Sequence, residues 1–171
     1  MEEQASTART ALKYGILTAV VFMIYTTIIN VSGLSQNNFL AFLSYVILVV
    51  GIVIALQEFR TSNKGFMTYG EGLGLGSLTS GIFGFFSSMF TMLYNKFIDP
   101  TIIAQTLEKA RSDAKANGMD EAQIDRLMEI SAKVSSPGIM FASGVFFFLF
   151  TGFIFSLIIS AFLRREKPVF E

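Results

Sequence analysis

The sequence contains no cysteine, no histidine and no tryptophan, and it carries little charge of either sign. Without cysteine there can be no disulfide, no thiolate metal site and no lipid-modified thiol. Without histidine the commonest neutral-pH general base is missing, as is the usual nitrogen ligand for zinc or haem. No metal or cofactor is therefore expected. Charged residues make up 15% of the 171 residues, well below the roughly 25% of soluble domains. Lys+Arg and Asp+Glu both total 13, so no basic excess points to nucleic acid.

What charge there is avoids four stretches: Tyr14–Val31, Phe39–Leu56, Leu73–Asn95 and Gly138–Leu163 hold no Asp, Glu, Lys or Arg. At about 1.5 Å rise per residue, each can cross a hydrocarbon layer of about 30 Å, the first two being at the short end. Hydrophobic residues reach 52% and the mean hydropathy is +0.56. The expected class is an all-α, polytopic membrane protein forming a single membrane domain over residues 1–171. The lipid bilayer is its first partner. Glu2 and Glu3 lead the chain, and no small-residue cleavage pattern follows Tyr14–Val31. This predicts an uncleaved first span.

The connections differ in kind. Ser32–Asn38 is rich in turn formers and too short to do more than reverse direction, so spans 1 and 2 form a helical hairpin. Gln57–Gly72 is a polar link carrying Glu58, Arg60, Lys64 and Glu71. The third span can run from Leu73 to Ile98, and residues 99–137 form a polar insert. Within it, Asp99-Pro100 predicts an N-cap followed by proline at the first helical position. Asn117-Gly118 is a stop signal, and Asp120 with Gln123 resembles a capping box. The insert therefore reads as an extramembrane helical hairpin between spans 3 and 4, with spans at about 14–31, 39–56, 73–98 and 138–163.

Basic residues near span ends set the expected orientation. Arg9, Lys13, Arg60, Lys64, Arg164, Arg165 and Lys167 fall on one side, while Lys96 and Lys133 flank spans on the other. Both termini are therefore expected in the cytoplasm, with the insert facing outward.

The strongest internal pattern is a stripe of small residues. Gly72, Gly76, Ser80, Gly84 and Ser88 recur every four residues in span 3, and Gly152, Ser156 and Ser160 do so in span 4. Such stripes let helix backbones approach closely in lipid; the alternative is a face lining a substrate path. Glu71 sits among Gly70, Gly72, Gly74 and Gly76. Two readings are open there: a flexible start to span 3, or a broken, re-entrant segment in which Glu71 is a polar site for a cation or proton. The serines Ser77, Ser80, Ser87 and Ser88 have no general-base partner legible in sequence.

Four segments carry a family likeness: Lys64-Gly65-Phe66-Met67-Thr68-Tyr69-Gly70-Glu71-Gly72, Phe97-Ile98-Asp99-Pro100, Gly118-Met119-Asp120-Glu121-Ala122-Gln123-Ile124 and Ser135-Ser136-Pro137-Gly138. In that order and spacing the chain resembles a bacterial membrane-protein family known only as a domain of unknown function, number 4199. The resemblance implies four spans with an insert between the last two. It implies no reaction, substrate or catalytic residue. The expected function is a non-enzymatic structural or accessory role beside itself or another membrane protein. The alternative is a small oligomeric transporter or channel subunit.

Overall fold

The computed structural model describes residues 6–166. Six α-helices follow one another: α1 (Thr7–Val31), α2 (Asn38–Ser62), α3 (Tyr69–Leu93), α4 (Thr101–Ala116), α5 (Glu121–Val134) and α6 (Pro137–Leu163), with a π-helical turn at Tyr94–Ile98. The π turn continues α3, so Tyr69–Ile98 is one rod of 30 residues. This rod, α1, α2 and α6 are each long and apolar enough to cross a membrane. The chain is an all-helical, multi-pass membrane protein.

The helices outrun the uncharged stretches at one end. α1 begins at Thr7 and α2 ends at Ser62, about two turns beyond each apolar limit. A backbone leaving hydrocarbon keeps its hydrogen bonds by staying helical. Lys13 and Glu58 meet across these polar turns at 3.7 Å. The same end is closed by a short antiparallel bridge. Met67 N–H donates to the Arg165 carbonyl at 2.9 Å, and Arg165 N–H returns to the Met67 carbonyl at 2.8 Å. Arg60 Nη1 adds a bond to the Leu163 carbonyl at 3.3 Å.

At the opposite end lie the α1–α2 loop, the π turn and the α4–α5 hairpin. The insert differs from expectation by one residue. α4 starts at Thr101 and Pro100 precedes it. Asp99 Oδ1 still accepts from Thr101 N–H at 3.0 Å, so it supplies the capping oxygen from one position further back. Between α4 and α5 the chain turns at Gly118, whose φ of +76° suits glycine. Asp120 and Gln123 then form a reciprocal capping box for α5. Ala114 and Ile124 are the buried residues of the two helices.

The packing inverts that of a water-soluble bundle. Phenylalanines at 39, 42, 146, 150 and 162 are exposed, Phe162 at 82%. Serines at 80, 87, 156 and 160 are fully buried. In water such apolar exposure would drive association; in lipid it is solvation. The interior also holds a ring of three phenylalanines, Phe22, Phe83 and Phe148. Their centroids lie 5.4, 5.9 and 5.0 Å apart and each pair meets edge to face, the arrangement that ring quadrupoles favour.

Candidate functional site

α3 packs most extensively on α6, and the small residues lie at that contact. Gly72 faces Ser160, Gly76 faces Ser156, Ser80 faces Gly152, Gly84 faces Phe148 and Ser88 faces Gly144. Residue numbers rise by four along α3 as they fall by four along α6, which defines an antiparallel register. A Cβ added to Gly72 would stand 2.8 Å from Ser160 Oγ, and one added to Gly84 would stand 2.9 Å from Phe148 Cβ. At Gly76 and Gly152 an added Cβ would overlap Ser156 and Ser80 outright. Two other crossings rest on one glycine each. Gly51 of α2 abuts Thr18 of α1, and Gly15 of α1 abuts Ile82 of α3.

The centre of the α3–α6 contact is reciprocal. Ser80 Oγ donates to the Gly76 carbonyl at 2.8 Å, and Ser156 Oγ donates to the Gly152 carbonyl at 2.6 Å. Each serine thus satisfies itself on its own helix while pressing on the opposing glycine. Polar side chains are thereby buried without a hydrogen bond crossing the interface. Ser87, Ser88 and Ser160 differ: their buried hydroxyls have no hydrogen-bond partner among the described residues.

Glu71 stands in the first turn of a regular helix. Thr68 N–H and Thr68 Oγ1 donate to Glu71 Oε2 at 2.8 and 2.9 Å, and Glu71 N–H donates to Thr68 Oγ1 at 3.3 Å. The four nearby glycines do not break or re-enter the segment, because this capping box and the α6 contact hold it. A glutamine reproduces the capping geometry and an alanine does not. Glu71→Gln is therefore expected to leave thermal stability unchanged. Glu71→Ala should lose about 1 kcal/mol, read by unfolding in mixed micelles.

All four spans contribute to a cavity of about 300 Å³ at the hairpin end of the bundle. α1 provides Thr26 and Asn30, α2 Ser44, α3 Ser88 and Thr91, and α6 Gly144. Ser35 of the α1–α2 loop and Phe22 and Phe148 of the aromatic ring also line it. Its lining holds no carboxylate, lysine or arginine. Tyr25 is the one titratable group there, and its hydroxyl donates to the Leu40 carbonyl at 2.8 Å.

The hairpin is fastened to the α1–α2 loop, whose Ser35 lines this cavity. Lys109 Nζ of α4 donates to the Gln36 carbonyl at 2.7 Å and to Asn38 Oδ1 at 2.9 Å. Gln36 Nε2 reaches Thr106 Oγ1 at 3.3 Å. Met92 and Met140 line both this cavity and a second one, of about 370 Å³, beneath α4. The second cavity borders the π turn at Asn95 and Lys96. Single-turn π segments recur at functional sites because they rotate the following side chains out of α register.

Gly144, Gly51 and Gly15 lie outside the small-residue stripes that the sequence displays. Gly144 falls eight residues before Gly152, but Phe148 interrupts the stripe between them. The cavity has no signal in one dimension, since its lining comes from four spans and a loop.

No curated protein and no solved structure matches the chain. The family described as protein of unknown function (DUF4199) matches residues 13–165, which takes in all four spans and the hairpin between the last two. The chain belongs to that family.

Proposed function

We propose that the chain is a non-enzymatic accessory component of the bacterial inner membrane, with both termini in the cytoplasm and the α4–α5 hairpin outside. On this reading the α3–α6 pair is a spine, and the hairpin with the α1–α2 loop is a platform that engages itself or another membrane protein. The observation that carries it is the Lys109 clamp, which bonds two oxygens contributed by Gln36 and Asn38 across 73 and 71 residues of chain. A cation so used fixes an extramembrane hairpin against the bundle, as a docking platform requires.

Two measurements test the reading. The native chain has no cysteine, so single cysteines can be labelled against no background. In intact cells a membrane-impermeant maleimide should label Asn117→Cys and leave Ser6→Cys untouched. The reverse pattern would invert the orientation. Mild-detergent purification should recover a stoichiometric assembly that weakens in Lys109→Ala. Recovery of the wild type as a lone monomer would remove the platform reading.

A small oligomeric transporter subunit is the second reading, and the cavity shared by four spans favours it. Solute flux in proteoliposomes that disappears in Ser44→Phe would support it. Silence across ions and small neutral solutes would dismiss it.

A further inference from the structure

We propose that α5 is an interfacial helix: its bare apolar edge, Ile130 and Val134, sits at the headgroup level of the bilayer, with Arg126 and Lys133 on lipid phosphates. The inference stands apart from the accessory-component reading and needs no partner protein.

It starts from the way the hairpin lies. α4 begins at Thr101, just past the end of the spanning rod. Its Ile103 and Leu107 line the cavity beneath it together with Met92 of α3 and Met140 of α6. Its Thr106 and Lys109 reach Gln36 in the α1–α2 loop. Within about two turns, α4 therefore meets α3, α6 and the loop, which lays it across the end of the bundle. α5 returns beside it, packed on α4 and on the start of α6.

α5 buries only part of its apolar side. Ile124 is buried, whereas Ile130 and Val134 are 60% and 47% exposed. The latter two are four residues apart and share one side of the helix. Their edge is continuous with the surface that faces lipid. Val134 precedes by three residues the span that opens at Pro137, and Ile139 in the first turn of α6 is exposed as well. At the other foot of the hairpin, Phe97 and Ile98 are exposed at the end of the rod. A helix held flat at that level places its apolar edge at the boundary between headgroups and acyl chains.

The charges are ordered around this edge as a phospholipid surface requires. Arg126 and Lys133 stand four before and three after Ile130, so they are its neighbours on the helix surface. Glu121, Asp125 and Glu129 lie roughly 100–180° round the helix from Ile130, at about 100° per residue. Basic residues at the rim can lay their stems on hydrocarbon and hold their charges among the phosphates. Lys133 meets Glu129 at 2.8 Å in an exposed pair. Such a surface pair is weak and leaves the ammonium able to turn to a phosphate.

The chain has no tryptophan, so one introduced indole reports alone. The full chain carrying Ile130→Trp is placed in vesicles of phosphatidylcholine and phosphatidylglycerol with bromine high on the acyl chains. Its emission should be blue-shifted. Bromolipid should quench it at least about threefold more than it quenches Asp125→Trp, as fits a side chain about 5–10 Å into the boundary. Arg126→Glu with Lys133→Glu should lift the edge, shift the emission to the red and cut the quenching about twofold. Should Ile130→Trp not fold, Val134→Trp reads the same edge. Red-shifted emission, quenched by aqueous acrylamide and not by bromolipid, would overturn the proposal. So would blue-shifted emission reached by neither quencher, the mark of a protein contact on that edge. Quenching unchanged by the charge reversal would overturn the phosphate contact.

Discussion

Replacing Gly152 with leucine is expected to abolish folding, and replacing it with serine to cost at least about 2 kcal/mol, the upper part of the range for overpacking a close contact. The reason is the distance at which α3 and α6 cross. An added Cβ at Gly152 would overlap both Ser80 Oγ and Ser80 Cβ, and Ser80 Cα would lie 3.6 Å away. The obstacle is close to backbone, so a rotamer change cannot relieve it. A better helix former gains about 1 kcal/mol over glycine, which is too little to offset the overlap. The informative variant is the exchange. Ser80→Gly with Gly152→Ser moves the serine to the other helix, which is the geometry already found at Gly76 and Ser156. The double variant should return to within about 1 kcal/mol of wild type, giving a coupling of about 2 kcal/mol. Reversible unfolding in bicelles measures it. Additive losses would show that the two residues do not face each other.

Phe83→Ala should destabilise the bundle by about 2 kcal/mol, less than the same change in a soluble core. Phe83 is fully buried and meets Phe22 and Phe148 at 5.4 and 5.0 Å. In water, truncating a buried phenylalanine costs about 3–5 kcal/mol, combining transfer and cavity terms. Lipid tails are as apolar as the side chain, so the transfer part shrinks. A phenyl-sized void of roughly 100 Å³, at about 24 cal/mol per Å³, leaves about 2 kcal/mol. An apolar void of this kind takes up benzene, so benzene should restore part of the lost stability in Phe83→Ala and have no effect on the wild type. A loss under about 0.5 kcal/mol would mean that the three rings are not packed together.

The fold was legible because bilayer physics is written as composition. Stretches without charge, long enough to cross hydrocarbon, admit few structures besides helices. The turn at Gly118 and the Asp120–Gln123 box were readable because capping is local, involving residues three apart. The extension of α1 and α2 past their apolar limits was less legible, since Thr7–Lys13 and Gln57–Ser62 read as polar flanks without a partner. They continue the helices of the spans past the hydrocarbon, and Lys13 meets Glu58 across them. The spacing of small residues marked one face of α3. Which residue of α6 each would meet is a matter of register between distant segments. The role of Glu71 needed the hydroxyl of Thr68, which a dense run of glycines conceals. The cavity is three-dimensional in origin, as is the packing of the Ser88 hydroxyl on Gly144.

The antiparallel α3–α6 register carries the account, and disulfide formation in isolated membranes tests it most directly. The wild-type chain is free of cysteine. At two ends of the contact the facing Cβ positions stand about 3 Å apart, and the serine oxygens that crowd them are removed by substitution to cysteine. A Cβ on Gly72 would lie 3.0 Å from Ser160 Cβ, and one on Gly144 would lie 3.1 Å from Ser88 Cβ. Both need only a small relaxation to reach the roughly 3.5–4.5 Å of a disulfide. Mild oxidation should cross-link Gly72→Cys with Ser160→Cys, and Ser88→Cys with Gly144→Cys. Pairs displaced by one turn, Gly72→Cys with Ser156→Cys and Ser88→Cys with Phe148→Cys, should stay reduced. Cross-linking of the displaced pairs in place of the in-register ones would contradict the register, and the inferences built on it would go with it.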